Sequence, residues 1–314
     1  MTKNKPQIIE NPEWKPREDS IITVGAFDGI HAGHRMILER LISEGRTQNL
    51  KSILFTFEPH PKKVLFPEKK HKLLTIKEEK IHLLKDFALD YVVFYPFTPG
   101  FSRMTGEEFL VFLKEKYRLK KLLLGYNHSF GSDRLQDDKF IKQLGNKLGF
   151  AVERLPRVTV DGIPVSSTII KQRIEAYDIL TANKLLAHPY LLFGRVVEGS
   201  KFGRKIGFPT ANLAVLSEDK LIPPEGVYLV EVEWGTKRKF GVMNIGRRPT
   251  VDGRKRTLEV HILDFSGDIY GEIIHVYFLS FLRKEKNFQD VENLKKQIEK
   301  DVLHARRIIL NFSK

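Results

Sequence analysis

Two textures of apolar and polar positions divide the chain. Up to about residue 187, short apolar runs of strand length alternate with stretches of helical period. Ile21–Ala26, Ser52–Phe57, Tyr91–Tyr95, Lys121–Gly125 and Ala151–Leu155 read as strands. Helices are expected near 34–44, 76–88, 105–117, 137–148 and 167–175. Two of them open on capping boxes, Thr75-Ile-Lys-Glu78 and Thr105-Gly-Glu-Glu108, where a hydroxyl and a carboxylate satisfy the first N–H groups of a helix. Strands alternating with helices predict a parallel sheet covered on both faces. Such sheets bind ligands at the carboxyl ends of their strands, where the strand order reverses.

From about 190 to 283 the runs become β-rich and closely spaced: Leu191–Glu198, Gly226–Trp234, Lys239–Asn244, Thr257–Phe265 and Ile273–Phe281. Turn signals at Pro223-Pro224, Gly235, Asp252-Gly253 and Ser266-Gly-Asp268 separate them, which predicts an antiparallel barrel or sandwich. Val291, Leu294, Ile298, Val302, Ala305 and Ile309 then form a stripe at near-helical spacing, expected to pack on that β structure. Ala187-His188-Pro189 marks the change of texture, because proline disfavours helix in the residue before it. The expected domains are therefore 1–187 and 188–314.

Composition narrows the chemistry. Among 314 residues there is no cysteine, which removes disulfides, cysteine zinc sites and thiol nucleophiles from consideration. A total of 53 Lys and Arg against 39 Asp and Glu gives a net charge of +14, which favours polyanionic partners such as nucleotides, nucleic acid or acidic lipid. A lysine-rich solvated surface accounts for the same excess equally well. Charges and prolines occupy the N-terminal segment where a signal peptide needs its apolar core, and no apolar run reaches the ~18 residues of a membrane helix. The expectation is a cytoplasmic protein with no membrane partner.

The first candidate site follows the first strand: Gly25-Ala-Phe27-Asp28-Gly29-Ile-His31-Ala-Gly33-His34. Three glycines let backbone approach a ligand, and the helix start offers N–H groups and the positive end of a dipole. His31 and His34, three apart, can turn both rings to one phosphate and stabilise charge that builds on it. Glycines alone would make only a turn; the two added histidines need a further reason.

This segment resembles the HxGH nucleotidyltransferase signature, in the form found in prokaryotic bifunctional riboflavin kinase/FAD synthetases. Phe57-Glu-Pro-His60-Pro61 resembles the FxPHP segment of that family. Leu124-Gly125-Tyr-Asn127-His-Ser-Phe130-Gly131 resembles its GxNFxFG or GxDFxFG loop, and Val165-Ser166-Ser167-Thr168-Ile-Ile-Lys171 its SSTxIR motif. Ser and Thr there can cap a helix and hold phosphate. Three departures stand out. Lys171 occupies the usual Arg position, His128 replaces a Phe, and the glycine expected within 132–136 is missing. The resemblance implies ATP against Gly25, Phe27, Asp28, Gly29, Gly33, Asn127, Ser166, Ser167, Thr168 and Lys171, and flavin against His60 and Pro61.

A second candidate site is Gly194-Arg-Val-Val-Glu-Gly199-Ser-Lys-Phe-Gly203-Arg204-Lys205-Ile-Gly207-Phe-Pro209-Thr210-Ala-Asn212-Leu213. Gly199, Gly203 and Gly207 with Arg204 and Lys205 make a basic loop able to cover polyphosphate. Thr210 and Asn212, two apart in an extended segment, point the same way and can place two oxygens on one Mg²⁺. The string resembles the riboflavin kinase signature ending in PTAN, which adds Pro209 to the ATP site, and Gly241-Val-Met-Asn244-Ile-Gly246-Arg-Arg248-Pro249-Thr250 resembles its NIGxRPT segment. Leu258, Val260 and Ile262 alternate with Glu259, which puts the carboxylate on the opposite face of a strand. By resemblance Glu259 is the base that takes the ribityl hydroxyl proton. Tyr270-Gly271 and Phe281-Leu-Arg283 match as well, and the resemblance implies flavin against Asn244, Arg248, Thr250, Arg283 and Phe288.

The resemblance spans roughly 20–310 and implies a Rossmann-like nucleotidyltransferase domain with a parallel sheet, then an antiparallel β-barrel riboflavin kinase domain with a C-terminal helix. The function it implies is bifunctional. Riboflavin is phosphorylated by ATP to FMN, and FMN is adenylylated by a second ATP to FAD with release of pyrophosphate. Mg²⁺ is the implied cofactor, and a monomer or weak homo-oligomer the implied state. A narrower alternative keeps only the kinase, with a degenerate N-terminal half. A flavin-responsive nucleic-acid binder would need aromatics interleaved in a basic groove, and no such string stands out, so no nucleic-acid partner is expected.

Overall fold

A computed structural model describes residues 5–199, 202–250 and 253–312; the side chains at 205, 248–250, 254, 255 and 312 also lie outside the description. The chain forms two compact units, residues 1–167 and 168–314.

In the first unit six strands lie parallel: β1 (Gln7–Ile9), β2 (Ser20–Val24), β3 (Lys51–Glu58), β4 (Tyr91–Pro96), β5 (Leu119–Leu124) and β6 (Ala151–Arg154). Between them run α1 (Ala32–Thr47), α2 (Pro61–Leu65), α3 (Lys77–Leu84), α4 (Gly106–Tyr117) and α5 (Asp138–Leu148). Strand order is β1-β4-β3-β2-β5-β6. The chain therefore moves outward from β2 through β3 and β4, then crosses to the other side of β2 with β5. That reversal is the switch point at which a doubly wound sheet opens a crevice. The loops beginning at Gly25 and Gly125 both leave from it.

Both sheet faces are covered, as the strand–helix alternation predicts. Ile22, Val24, Ile53 and Phe55 pack with Leu110, Leu113 and Tyr117 on one side. Ile21, Leu54 and Val92 pack with Leu38, Leu41 and Leu84 on the other. Each such fully buried side chain contributes ~1.5–3 kcal/mol, so the sheet is a rigid base for its loops.

Local expectations hold at α4, where Thr105 Oγ1 accepts the Glu108 N–H at 3.3 Å and Glu108 returns a carboxylate to the Thr105 N–H at 2.7 Å. They fail at α3. That helix begins one residue later than the expected box, and Glu79, not Glu78, accepts the Ile76 N–H. Thr75 is diverted: its hydroxyl accepts from the Gly29 N–H at 2.9 Å, a long-range partner that wins over the local cap. Strand β1 was not foreseen, since three residues among prolines and charges carry no period.

The second unit begins with α6 (Ser167–Glu175, its first residue in the first unit) and α7 (Ile179–Leu186); the latter is capped by Asp178 and was not foreseen from the sequence. A two-stranded hairpin, β7 (Thr159–Val160) with β8 (Ile163–Pro164), precedes them. Six antiparallel strands then close a barrel: β9 (Tyr190–Val197), β10 (Ala211–Val215), β11 (Gly226–Trp234), β12 (Lys237–Thr250), β13 (Gly253–Ile262) and β14 (Ile273–Lys284). Closure comes from β9, which pairs with both β10 and β14. Strand β10 is an addition to the five expected, and β12 runs on through Arg247 and Pro249 because β13 pairs with it along its length. The tip of that hairpin, including Asp252 of the expected turn, lies outside the described residues.

A single turn, α8 (Phe202–Lys205), lies in the glycine loop, and α9 (Val291–Phe312) ends the chain. Ala305 is fully buried, and Val302 and Ile309 pack with it against Val227, Leu229 and Val242 on the barrel wall. The stripe is only partly core, however. Val291 is 50% exposed, and Leu294 and Ile298 line a cavity, because the first turns of α9 stand off from the wall.

Candidate active sites

Strand β2 stops at Val24 and the chain turns sharply. Phe27, Gly29 and Ile30 have φ of +48°, +94° and +42°. Glycine adopts such angles at no steric cost, whereas each non-glycine residue costs ~1–3 kcal/mol and persists only where surrounding bonds enforce it. Those bonds are specific. Asp28 Oδ1 accepts the N–H groups of Leu74 (2.7 Å) and Thr75 (3.0 Å). Ser167 Oγ donates to the Asp28 carbonyl at 2.9 Å, and Lys80 Nζ donates to the Ala26 carbonyl at 2.6 Å. The Asp28 carboxylate is thus turned onto the 74–75 segment, where it anchors the turn.

His31 caps α1, its Nδ1 accepting the His34 N–H at 3.3 Å. The two rings stack, centroids 3.6 Å apart and 12° from parallel, and Phe27 lies 4.5 Å from the His34 ring. His34 Nδ1 is buried and finds no hydrogen-bond partner among the described residues. Burial foremost, then the His31 ring and the Lys80 ammonium, hold His34 well below the usual imidazole range. It is a neutral ring at pH 7. Two imidazoles at a helix N-terminus can offer donors to an anion that are fixed before the ligand arrives.

Beside the turn lies a cavity of about 480 Å³, walled by Gly25, Pro61 and His128 and by Phe57, Phe97, Phe101 and Phe130. A mostly apolar pocket of that volume is of the kind that takes a small-molecule ligand. Sequence reading found Gly25 and Pro61 but not Phe97 or Phe101, which sit in a loop without period in a chain holding 22 phenylalanines. His60 does not line it; the side chain caps α2, accepting the Lys62 N–H at 3.2 Å. Asn127 is exposed, with its carbonyl accepting from Gln136. Arg154, which no motif marks, fastens this loop by donating to the carbonyls of Gly125 (2.8 Å) and His128 (3.2 Å). Burial and the nearby Arg154 charge bring the His128 imidazole down to about 4. Gly33 lies in the first turn of α1, Ser166 directly precedes α6, and Thr168 and Lys171 occupy its first two turns.

In the barrel, strand register builds the second site. Glu259 on β13 pairs with Asn212 on β10 and with Asn244 on β12. Residues directly opposite in a sheet project to the same side, so these three polar groups form one row. Leu258, Val260 and Ile262 are buried on the other side, as the alternation predicts. Thr210 Oγ1 donates to Glu259 Oε2 at 3.4 Å. At Gly199 a Cβ would meet Asn212 Nδ2 at 2.2 Å, so the start of the glycine loop lies directly on the Asn212 side chain.

Two cavities meet at Thr210. One, about 390 Å³, is lined by Arg204, Pro209, Thr210, Val260 and Tyr270. The other, about 250 Å³, is lined by Gly203, Thr210, Asn244, Glu259, Arg283 and Phe288 among others. His261 also lines it, bonded through Nδ1 to the Pro209 carbonyl at 2.8 Å and packed against Phe208. Its position two residues after Glu259, on the same strand face, is the signal that could have found it. Arg283 borders this cavity, but its guanidinium is held by both oxygens of Asp301 at 2.8–3.1 Å. Gly207 follows α8 with φ +86°. The side chains of Lys205, Arg248 and Thr250 lie outside the described residues.

Thr210 and Asn212 offer oxygen donors beside a carboxylate, a hard donor set that fits Mg²⁺ sharing its ligands with phosphate and water. Among the described residues no helix is long and apolar enough to cross a membrane.

Comparison with known proteins gives a family for each half of the chain. The FAD synthetase family matches residues 14–169, and the riboflavin kinase family matches residues 186–309. The bifunctional riboflavin kinase/FMN adenylyltransferase of Escherichia coli (strain K12) is 38% identical over 95% of each chain. The protein of the same name from Haemophilus influenzae is 35% identical over 91% of this chain and 92% of its own. A crystal structure from Streptococcus pneumoniae, titled a macrolide-efflux protein, superposes with a TM-score of 0.87 at 31% identity, covering 96% of this chain and 98% of that one. With motifs, fold and relatives in agreement along its length, the chain belongs to the bifunctional riboflavin kinase/FMN adenylyltransferase family.

Proposed function

We propose that the barrel phosphorylates riboflavin to FMN and that the parallel-sheet unit adenylylates FMN to FAD. The division runs between a 1–187 module and a 188–314 module. What carries the reading is Thr210, common to both barrel cavities and 3.4 Å from Glu259: a nucleotide in one cavity and a flavin in the other would meet at a carboxylate.

In the kinase step Glu259 accepts the proton of the terminal ribityl hydroxyl. That oxygen then bonds to the γ-phosphorus of ATP while the bond to the bridging oxygen of ADP breaks. Arg204 and Lys205 of the glycine loop offset phosphate charge, and Asn244, Arg283 and Phe288 border the flavin. Thr210 and Asn212 would hold Mg²⁺, which would supply neutralisation of the nucleotide's phosphate charge.

In the adenylyl step a phosphate oxygen of FMN bonds to the α-phosphorus of a second ATP, and the bond to pyrophosphate breaks. His31, His34 and the N–H groups at the start of α1 stabilise the charge on the phosphates. No covalent enzyme intermediate is required. The phenylalanine-lined cavity receives the isoalloxazine. The positive charge of the chain then serves nucleotides, and the same reading takes the protein as cytoplasmic, monomeric or weakly self-associating, and without a nucleic-acid partner.

The test is a time course with riboflavin, ATP and Mg²⁺, separating flavins by chromatography. FMN appearing first and FAD after it supports both steps. FMN accumulating without FAD would return the N-terminal half to the role of scaffold, and FAD forming only from supplied FMN would refute the barrel assignment.

A further inference from the structure

Beneath the Gly25–His31 turn lies a lysine that neither motif accounts for. Lys80 projects from α3 and is only 5% exposed. Its ammonium donates to the Ala26 carbonyl at 2.6 Å and lies 3.4 Å from Thr56 Oγ1, and that hydroxyl itself donates to Ala26 O at 3.3 Å. Burial brings the ammonium down to about 8, while the carboxylates of Asp28 and Glu58 act to keep it charged. Taking a cation out of water is costly, and an apolar side chain of similar shape would fill the space without that cost. A fold that keeps the charge here has a use for it.

The use follows from what surrounds the turn. His34 is held neutral, and the start of α1 contributes only a partial positive charge of roughly half a unit. A carbonyl directed at a polyphosphate would repel it, and the Ala26 carbonyl is instead drawn down onto Lys80. A cation behind the backbone, shielded from water, acts through low dielectric and needs no rearrangement during reaction.

We propose that Lys80 is a positioning residue for adenylyl transfer: it holds the Ala26 carbonyl away from the phosphates and fixes a positive charge beneath them. The proposal rests on the reading of the first unit as an FMN adenylyltransferase. Lys80 acts through the turn and touches no substrate.

The experiment uses the full chain and measures pyrophosphate release from FMN and ATP–Mg²⁺, with riboflavin phosphorylation in the same preparations as the control. Wild-type protein that releases no pyrophosphate overturns the adenylyltransferase reading itself. Given that activity, Lys80→Met and Lys80→Gln are both expected to lower kcat at least ~30-fold with KM for FMN within ~3-fold, as for loss of a preorganised charge. The kinase rate should be unchanged. Lys80→Gln retaining wild-type kcat would show that a hydrogen bond suffices and overturn the role of the charge. Parallel loss of kinase activity would reduce Lys80 to a stabilising residue. Should both variants fail to fold, the wild-type profile decides. The groups facing Lys80 are Asp28, Glu58, Thr56, His34 and the Phe94 ring. Adenylylation kcat falling as pH rises through about 8 supports the proposal, and a flat profile overturns it.

Discussion

The hydroxyl of Thr210 reaches across 3.4 Å to Glu259, joining the end of the glycine loop to the strand that carries the barrel's carboxylate. Because Thr210 borders both cavities of the barrel, this contact sits, under the proposed function, where phosphoryl donor and acceptor would meet. The position of the loop is thereby coupled to that of the Glu259 carboxylate.

Replacing Glu259 by Gln keeps the size and the Thr210 contact but removes the base. Riboflavin phosphorylation should fall about 10²–10⁴-fold in kcat, the usual worth of a positioned general base, with adenylylation of supplied FMN intact. Coupled assays of ADP and pyrophosphate on one preparation check this. An unchanged kinase rate would remove Glu259 from the mechanism.

The proposed function assigns the stacked pair His31 and His34 to the other reaction. His31→Ala with His34→Ala should abolish FAD formation, each lost donor costing about 10²–10³-fold, and leave FMN formation intact. Chromatographic separation of flavins reads both outcomes at once. Equal collapse of FMN production in a folded double variant would contradict the division of labour.

Acid should destabilise the first unit through His128. In the unfolded chain this ring takes a proton near the ordinary value of ~6.5, whereas burial in the folded chain postpones it to about 4. Between those values the unfolded state binds more protons, so stability falls as pH is lowered, by up to about 1.4 kcal/mol per pH unit. His34 acts in the same direction. Urea midpoints at pH 7 and pH 5 should separate less in His128→Phe than in wild type. Identical separations would show that His128 does not carry the effect.

Arg283 and Asp301 form a two-pronged pair at the edge of the cavity assigned above to flavin, with the Asp301 side chain only 7% exposed. Asp301→Asn leaves a partly buried guanidinium short of its counter-charge and should cost about 3 kcal/mol. Chemical denaturation measures the loss. A raised KM for riboflavin is expected alongside, because α9 and Arg283 both border that cavity. No change in either quantity would mean that the pair is idle.

Much of this protein is legible locally. The 3.6-residue and two-residue periods marked ten of the twelve sheet and barrel strands among the described residues, all but β1 and β10, and the motif strings placed His31, His34, Thr210 and Glu259 on their elements. What escaped had no local signal. Strand β1 is three residues long, β10 lies inside a motif read as extended loop, and α7 spans eight residues after Asp178. These form because long-range partners accept them: β4 for β1, and β9 and β13 for β10.

The sequence by itself determined which chemistry is present, because residue type and spacing along one strand or turn set what a short segment can donate, accept or coordinate. Tertiary structure alone decided how those groups are spent. It turned Asp28 onto Leu74 and Thr75, took Thr75 from its own helix to Gly29, engaged Arg283 with Asp301, and set Lys80 beneath Ala26. Each of these partners lies between 18 and 54 residues away in the chain, where no periodicity reaches and only the folded register brings the groups together.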